Sequence, residues 1–161
     1  MTKFSFERNY SRINELRQEV EGKKQMAEKL KTAKEELVTA RLEMEGAEVS
    51  EETKEAIRQS LEFRREELSE QAQEVGDKIG NNLSEMEEMM QEVQSVEESN
   101  EVQQKNMKNK VDILEKIGMG GILKNSLDIL KNESSQIEEL KNAIIEARKS
   151  AEEAAHMAGQ I

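Results

Sequence analysis

The sequence lacks cysteine, proline and tryptophan, and it has one histidine and one tyrosine among 161 residues. Without cysteine, the chain has no disulfide, no thiolate metal ligand and no cysteine nucleophile. A single histidine cannot supply the paired imidazoles of a di-iron bundle, and it leaves little acid–base chemistry near neutral pH. Four aromatic side chains also offer little surface for stacking on nucleic-acid bases. We therefore expect no enzyme activity, no cofactor and no bound metal.

The charge balance is acidic, with 35 acidic against 24 basic residues and a formal net charge of −11. Binding to phosphates or to an anionic membrane surface needs clustered Lys and Arg, so we expect neither nucleic acid nor membranes as partners. No apolar run approaches the roughly 18 residues of a membrane span, which predicts no membrane insertion. Residues 1–10 lack the apolar segment of a signal peptide. These observations predict a cytoplasmic protein, with leaderless export as the alternative.

Ala, Glu, Lys, Leu and Arg make up half of the residues, which is typical of long helices and coiled coils. In the first third of the chain, apolar residues recur at heptad spacing in two rows. These rows are Phe6, Ile13, Val20 and Ala27, and Leu16, Leu30, Leu37 and Met44. They predict a helix over residues 8–45, which Gly46 ends. Ser50 is a typical N-cap for a second helix from residue 51, and the short connection predicts an antiparallel helical hairpin.

The second predicted helix spans residues 51–117, and from Leu68 its apolar residues follow an eleven-residue period. Two Gly and two Asn between Gly76 and Asn82 weaken the helix there. If the helix is continuous, the fold is all-α, with elongated antiparallel hairpins of the coiled-coil kind. If it breaks near residue 80, a four-helix bundle follows. Three Gly within residues 118–121 end this segment, and a last helix follows over residues 122–158, so we expect a single all-helical domain over 1–161.

Several polar residues occupy positions where a self-sufficient bundle would have leucine. They are Lys23, Lys34, Arg41, Asn100 and Ser134. Buried polar residues at such seam positions cost stability but select partners and register. The sequence therefore predicts a non-enzymatic interaction protein whose helical seams bind a partner protein or a second copy. The alternative is a structural rod or spacer, for example in a phage or secretion assembly.

Two families resemble this chain in architecture. An acidic, cysteine-free, leaderless and all-helical chain resembles the helical-hairpin substrates and partner proteins of type VII-like secretion systems. The heptad pattern over residues 123–158 also resembles that of SNARE proteins. In that second resemblance, Leu130 and Ile137 would flank a polar layer near Glu133 or Ser134. The first resemblance implies export as a folded hairpin, and the second implies assembly with other helices.

The middle of the second helix carries the candidate binding site. Between Lys78 and Lys105 the sequence has no basic residue but seven Glu, whose mutual repulsion a basic partner would relieve. Met89 lies off the apolar stripe, which predicts an outward contact; the alternative is that Met86, Met89 and Met90 all fill the core. The candidate partner-binding residues are Met89, Glu85, Glu88, Glu92, Glu98 and Glu101. The alternative is an acidic surface that contacts only solvent.

We expect replacement of Glu88, Glu92 and Glu98 by Lys to weaken formation of a complex at this surface, because the attraction to a basic partner would reverse. Complex formation is measured at physiological ionic strength and at about 0.5 M salt, where exposed charges are screened. If neither the substitutions nor the salt changes the affinity, the acidic residues only contact solvent.

Overall fold

Three long α-helices account for most of the chain in a computed structural model, which describes residues 4–161. Helix α1 spans Phe6–Glu45, α2 spans Glu51–Glu115 and α3 spans Lys124–Gly159. A short 3-10 helix, Gly120–Ile122, precedes α3. Residues 4–161 contain no β-strand, so the all-α prediction is confirmed. Within the same residues, no helix is long and apolar enough to cross a membrane.

The helix ends follow the local sequence. The Ser5 hydroxyl accepts a hydrogen bond from the Arg8 N–H at 3.2 Å, and Ser50 accepts one from the Thr53 N–H at the same distance. Both serines thus satisfy an N–H that has no partner within its helix. At the other end of α2, Gly118 has a φ of +76°, which glycine adopts without strain. Local sequence therefore encodes the starts of α1 and α2 and the end of α2.

The chain divides into two compact units, and one of them contains Leu16–Ser84 and Arg148–Ile161. Here α1 and α2 form the predicted antiparallel hairpin. Near its loop, Arg58 pairs with Glu45; far from the loop, Lys23 donates a hydrogen bond to Asn82. A cluster of Leu30, Leu68 and Ala72, with Ile161 packed against it, forms part of the core. The end of α3 thus packs onto the hairpin as a third helix.

The other unit contains the described residues up to Glu15, together with Glu85–Ala147. Here α2 and α3 are antiparallel, because Glu97 pairs with Lys141 while Asn100 contacts the backbone of Leu130. The first turns of α1 pack beside them, and the Tyr10 hydroxyl lies 3.4 Å from the Gln136 carbonyl oxygen. The largest fully buried side chains of this unit are Ile13, Met86, Val93, Ile137, Leu140 and Ile144.

Helix α2 runs without interruption through Gly76–Asn82, so the alternative with a break near residue 80 is not what the structure has. Ile79 is completely buried, and the Asn82 amide donates to the Glu19 carboxylate at 2.8 Å. Packing and hydrogen bonds of this kind offset the low helix propensity of Gly and Asn. Tertiary contacts therefore keep this segment helical.

We expect Gly80→Ala to raise the free energy of unfolding by about 1 kcal/mol, because Ala has the higher helix propensity. A Cβ added at Gly80 has no atom within 4 Å, so no steric cost opposes the gain. The measurement is urea unfolding followed by circular dichroism. Gly118→Ala is the control: its Cβ also meets open space, but the positive φ makes the substitution destabilising. A loss of stability in Gly80→Ala would contradict a continuous, unstrained helix at this position.

Candidate partner-binding surfaces

The six predicted binding residues lie on one helix, α2, but they differ in exposure. Glu88, Glu92, Glu98 and Glu101 are exposed, whereas Glu85 is half-buried and Met89 is only 7% exposed. Met89 thus cannot contact a partner without a rearrangement of the core. The prediction that Met89 points outward is wrong.

The burial of Met89 follows from the number of helices around α2. In this unit α2 contacts α1 through Arg12 and Glu85, and it contacts α3 through Glu97 and Lys141. Two neighbours cover a wider arc of a helix than the single neighbour of a two-stranded coiled coil. A residue beside the central apolar stripe is therefore also buried. Four α2 side chains share this environment: Met86, Met89, Met90 and Val93.

The acidic residues also do not form a single face. At about 100° per residue, Glu85, Glu88 and Glu92 fall within an arc of roughly 60° on one side of the buried stripe. Glu98 and Glu101 fall on the other side. A single flat partner would contact only one of these two groups. The structure therefore brings together the first three carboxylates and separates them from the last two.

Basic neighbours for this acidic segment come from the other helices. The Arg12 guanidinium contacts Glu85 through Nε at 3.0 Å and through Nη2 at 2.7 Å. The Lys141 ammonium lies 3.0 Å from Glu97. Its hydrogen bond to Glu97 raises the pKa of Lys141, and the charges of Glu97, Glu138 and Glu101 act in the same direction. Part of the repulsion that was expected to attract a partner is thus already relieved within the chain.

Three of the five polar seam residues likewise find hydrogen-bond partners within their own unit. Lys23 donates to Asn82, and Lys34 donates to the backbone oxygen of Ile161 at 2.9 Å. The Asn100 amide donates to the Leu130 carbonyl oxygen at 3.0 Å. In the described part of the chain, no buried side-chain nitrogen or oxygen lacks a hydrogen-bond partner. The polar groups of Lys23, Lys34 and Asn100 are therefore satisfied by hydrogen bonds within the chain and do not require a partner protein.

A surface that the sequence analysis missed lies at the loop end of the α1–α2 hairpin. This hairpin groove has a volume of about 380 Å³, within the general range of ligand clefts. Two large apolar side chains of α1 are exposed at this end of the hairpin: Val38, which lines the groove and is 55% exposed, and Leu42, which is 70% exposed. The groove is lined by Lys34, Leu37, Val38, Arg41, Glu55, Arg58, Gln59, Leu61, Glu62 and Arg65. The signal in the sequence is the pair Val38 and Leu42, four residues apart and outside the heptad rows.

The charge in the hairpin groove is not fully neutralised. Arg58 makes a two-pronged ion pair with Glu45, at 2.7 and 2.9 Å, which lowers the pKa of Glu45 and raises that of Arg58. Arg65 has only a loose contact with Glu62, at 3.7 Å. Arg41 has no hydrogen bond or ion pair within residues 4–161. The charge of Arg41 acts on Glu45 and helps to lower its pKa. The groove therefore presents a cation that makes no direct ion pair, Arg41, beside apolar side chains.

Comparison with known proteins does not add a family, since no family model, curated protein or solved structure matches this chain. The resemblances to type VII-like secretion proteins and to SNARE proteins therefore stay predictions. Among residues 4–161, no three His, Asp or Glu side chains form a cluster that could hold a metal ion.

We expect Glu97→Gln to lower the free energy of unfolding by about 0.5–1 kcal/mol near pH 8, because the ion pair with Lys141 is lost. The pKa of Lys141 is raised in the fold, so this contribution is present below its ordinary value of about 10.4 and declines as the pH rises above it. Glu98→Gln is the matched control, since the exposed Glu98 has no ion pair in the described chain. Urea unfolding at several pH values measures both. Equal effects of the two substitutions would contradict a stabilising role for the pair.

Proposed function

We propose that this chain is a non-enzymatic interaction protein that binds a partner protein, or a second copy, through an amphipathic helical surface. The observation that carries the proposal is the hairpin groove, where Val38 and the nearby Leu42 are exposed beside Arg41, which makes no hydrogen bond or ion pair within residues 4–161. Contiguous exposed apolar surface bordered by charge is typical of interaction sites.

The residue composition supports a binding function over catalysis. The chain has no cysteine and one histidine, His156, which is exposed and lies near the end of α3. Its ring nitrogen lies 3.0 Å from the Gln160 amide, a contact within the same helix. A Gln amide is neither a nucleophile nor a general base, so this contact does not by itself form a catalytic pair. The function we propose needs only surface complementarity.

A structural spacer is the second candidate, and the seam residues favour it. Lys23, Lys34 and Asn100 all have hydrogen-bond partners inside the chain, so they do not require another protein. A spacer would be stable as a monomer and would bind nothing along its helices. The two candidates therefore differ in what they predict about assembly.

Light scattering coupled to size-exclusion chromatography separates these candidates. We expect a particle of defined stoichiometry, heavier than the 18.4 kDa monomer, when the chain is purified alone or co-expressed with the products of neighbouring genes. A heavier particle without co-expression indicates a second copy as the partner. A monomer under every condition would contradict the interaction function and favour the spacer.

A further inference from the structure

The hairpin groove continues the surface onto which the end of α3 packs. On α1, Lys34 both lines the groove and donates a hydrogen bond to the backbone oxygen of Ile161. On α2, Arg65 lines the groove and lies eleven residues before Gly76, where an added Cβ would stand 4.0 Å from the Cβ of Ala158. Eleven residues make close to three turns, so Arg65 and Gly76 face the same side of α2. The groove thus lies where a third helix would pack against α1 and α2, next to the stretch of the hairpin that α3 covers.

The apolar side chains of the groove fit a helical occupant. Leu37 and Leu61 are half-buried at its two sides, and Val38 is more exposed. Val38 and the nearby Leu42 lie on successive turns of α1, the spacing at which a neighbouring helix makes contacts. An amphipathic helix laid between α1 and α2 would cover these side chains, as Ile161, two residues beyond the end of α3, packs against Leu30, Leu68 and Ala72.

The charges around the groove select an acidic occupant. Four of its lining residues are basic and two are acidic, although the whole chain has a net charge of −11. Both acidic members, Glu55 and Glu62, already contact arginines of α2. Arg41 acts electrostatically on Glu45 but makes no hydrogen bond or ion pair within residues 4–161, and Arg65 holds Glu62 only loosely. A helix with Glu or Asp beside its apolar stripe would pair with these two arginines.

A symmetric pairing of two copies through this groove is less favourable. In a two-fold dimer the same patch meets itself. The lining of one copy, with four basic and two acidic residues, would then face the same excess of positive charge on the other, and like charges in an interface are unfavourable. The charge in the groove therefore argues for a different protein as the occupant.

From these contacts we infer that the hairpin groove binds an acidic amphipathic helix of a partner protein, which lies as a third helix against α1 and α2. This inference rests on the proposed function and names the partner's chemistry. The apolar stripe of the partner covers Val38 and Leu61, and its acidic flank pairs with Arg41 and Arg65.

Two synthetic peptides test the inference on the full chain. Each has three heptads, about 21 residues, since shorter isolated helices are marginal in water. Both carry Leu at positions a and d; one carries Glu at positions e and g, and the other carries Lys there, so each peptide repels its own copies. With a fluorescent label and anisotropy as the readout, we expect the Glu peptide to bind at least about 10-fold more tightly than the Lys peptide, with a preference that declines as salt is added.

Charge-reversal variants locate the site. Arg41→Glu and Arg65→Glu should each weaken binding of the Glu peptide by about 10-fold and strengthen binding of the Lys peptide. Arg64→Glu is the matched control, because Arg64 is exposed on the same turn and pairs with Glu67 but does not line the groove. Circular dichroism confirms that each variant is folded. Arg41 and Arg65 are both exposed, so the substitutions leave the core intact.

Several results would overturn the inference. The inference is wrong if neither peptide binds or if both peptides bind with equal affinity. It is also wrong if Arg64→Glu weakens binding of the Glu peptide as much as Arg41→Glu and Arg65→Glu do. Self-association that Arg41→Glu abolishes would assign the groove to a second copy. If co-expressed neighbours form a complex that Arg41→Glu and Arg65→Glu do not weaken, the interaction function stands and the groove is not its site.

Discussion

The buried stripe of α2 is the constraint on which both units depend. A helix of 65 residues is stable in water only if its apolar side is covered along its length. In one unit, α1 and the end of α3 cover Leu68, Ala72 and Ile79; in the other, α3 and the first turns of α1 cover Met86 and Val93. Each unit thus obtains a core from three narrow stripes, which explains how a chain with few large apolar residues forms a fold.

Polar contacts within these stripes determine which residues face each other. Apolar side chains alone tolerate a shift of one helix along another by a heptad, whereas hydrogen bonds between specific side chains do not. Asn82 accepts from Lys23 and donates to Glu19, and Asn100 donates to the Leu130 backbone and accepts from Gln104. Lys23 and Asn100, two of the seam residues that suggest a partner, therefore have a sufficient role inside the chain. Arg41 differs, because it makes no hydrogen bond or ion pair within residues 4–161 and lies in the groove.

Helix positions could be predicted from the sequence because they depend on local signals. Heptad spacing, Ser50 as a cap and Gly118 as a stop each act through neighbouring residues, and the hairpin follows from the short connection. The exposure of Met89 could not be predicted, because it depends on how many helices surround α2. Likewise, the relief of repulsion in the acidic segment could not be predicted, because Arg12 and Lys141, which pair with Glu85 and Glu97, come from distant parts of the sequence. The hairpin groove depends on where a third helix ends against the other two, which no local pattern encodes.

The burial of the methionine cluster has a consequence for oxidation chemistry. Met86, Met89 and Met90 are each at most 7% exposed, whereas Met26 and Met119 are both 47% exposed. A peroxide meets the two exposed thioethers first, where a sulfoxide remains in contact with water and leaves the packing unchanged. The same oxidation at Met86 would place a polar sulfoxide among apolar side chains that offer it no hydrogen bond. We therefore expect Met26 and Met119 to oxidise first, and oxidation of the inner three would mark molecules whose core has already opened.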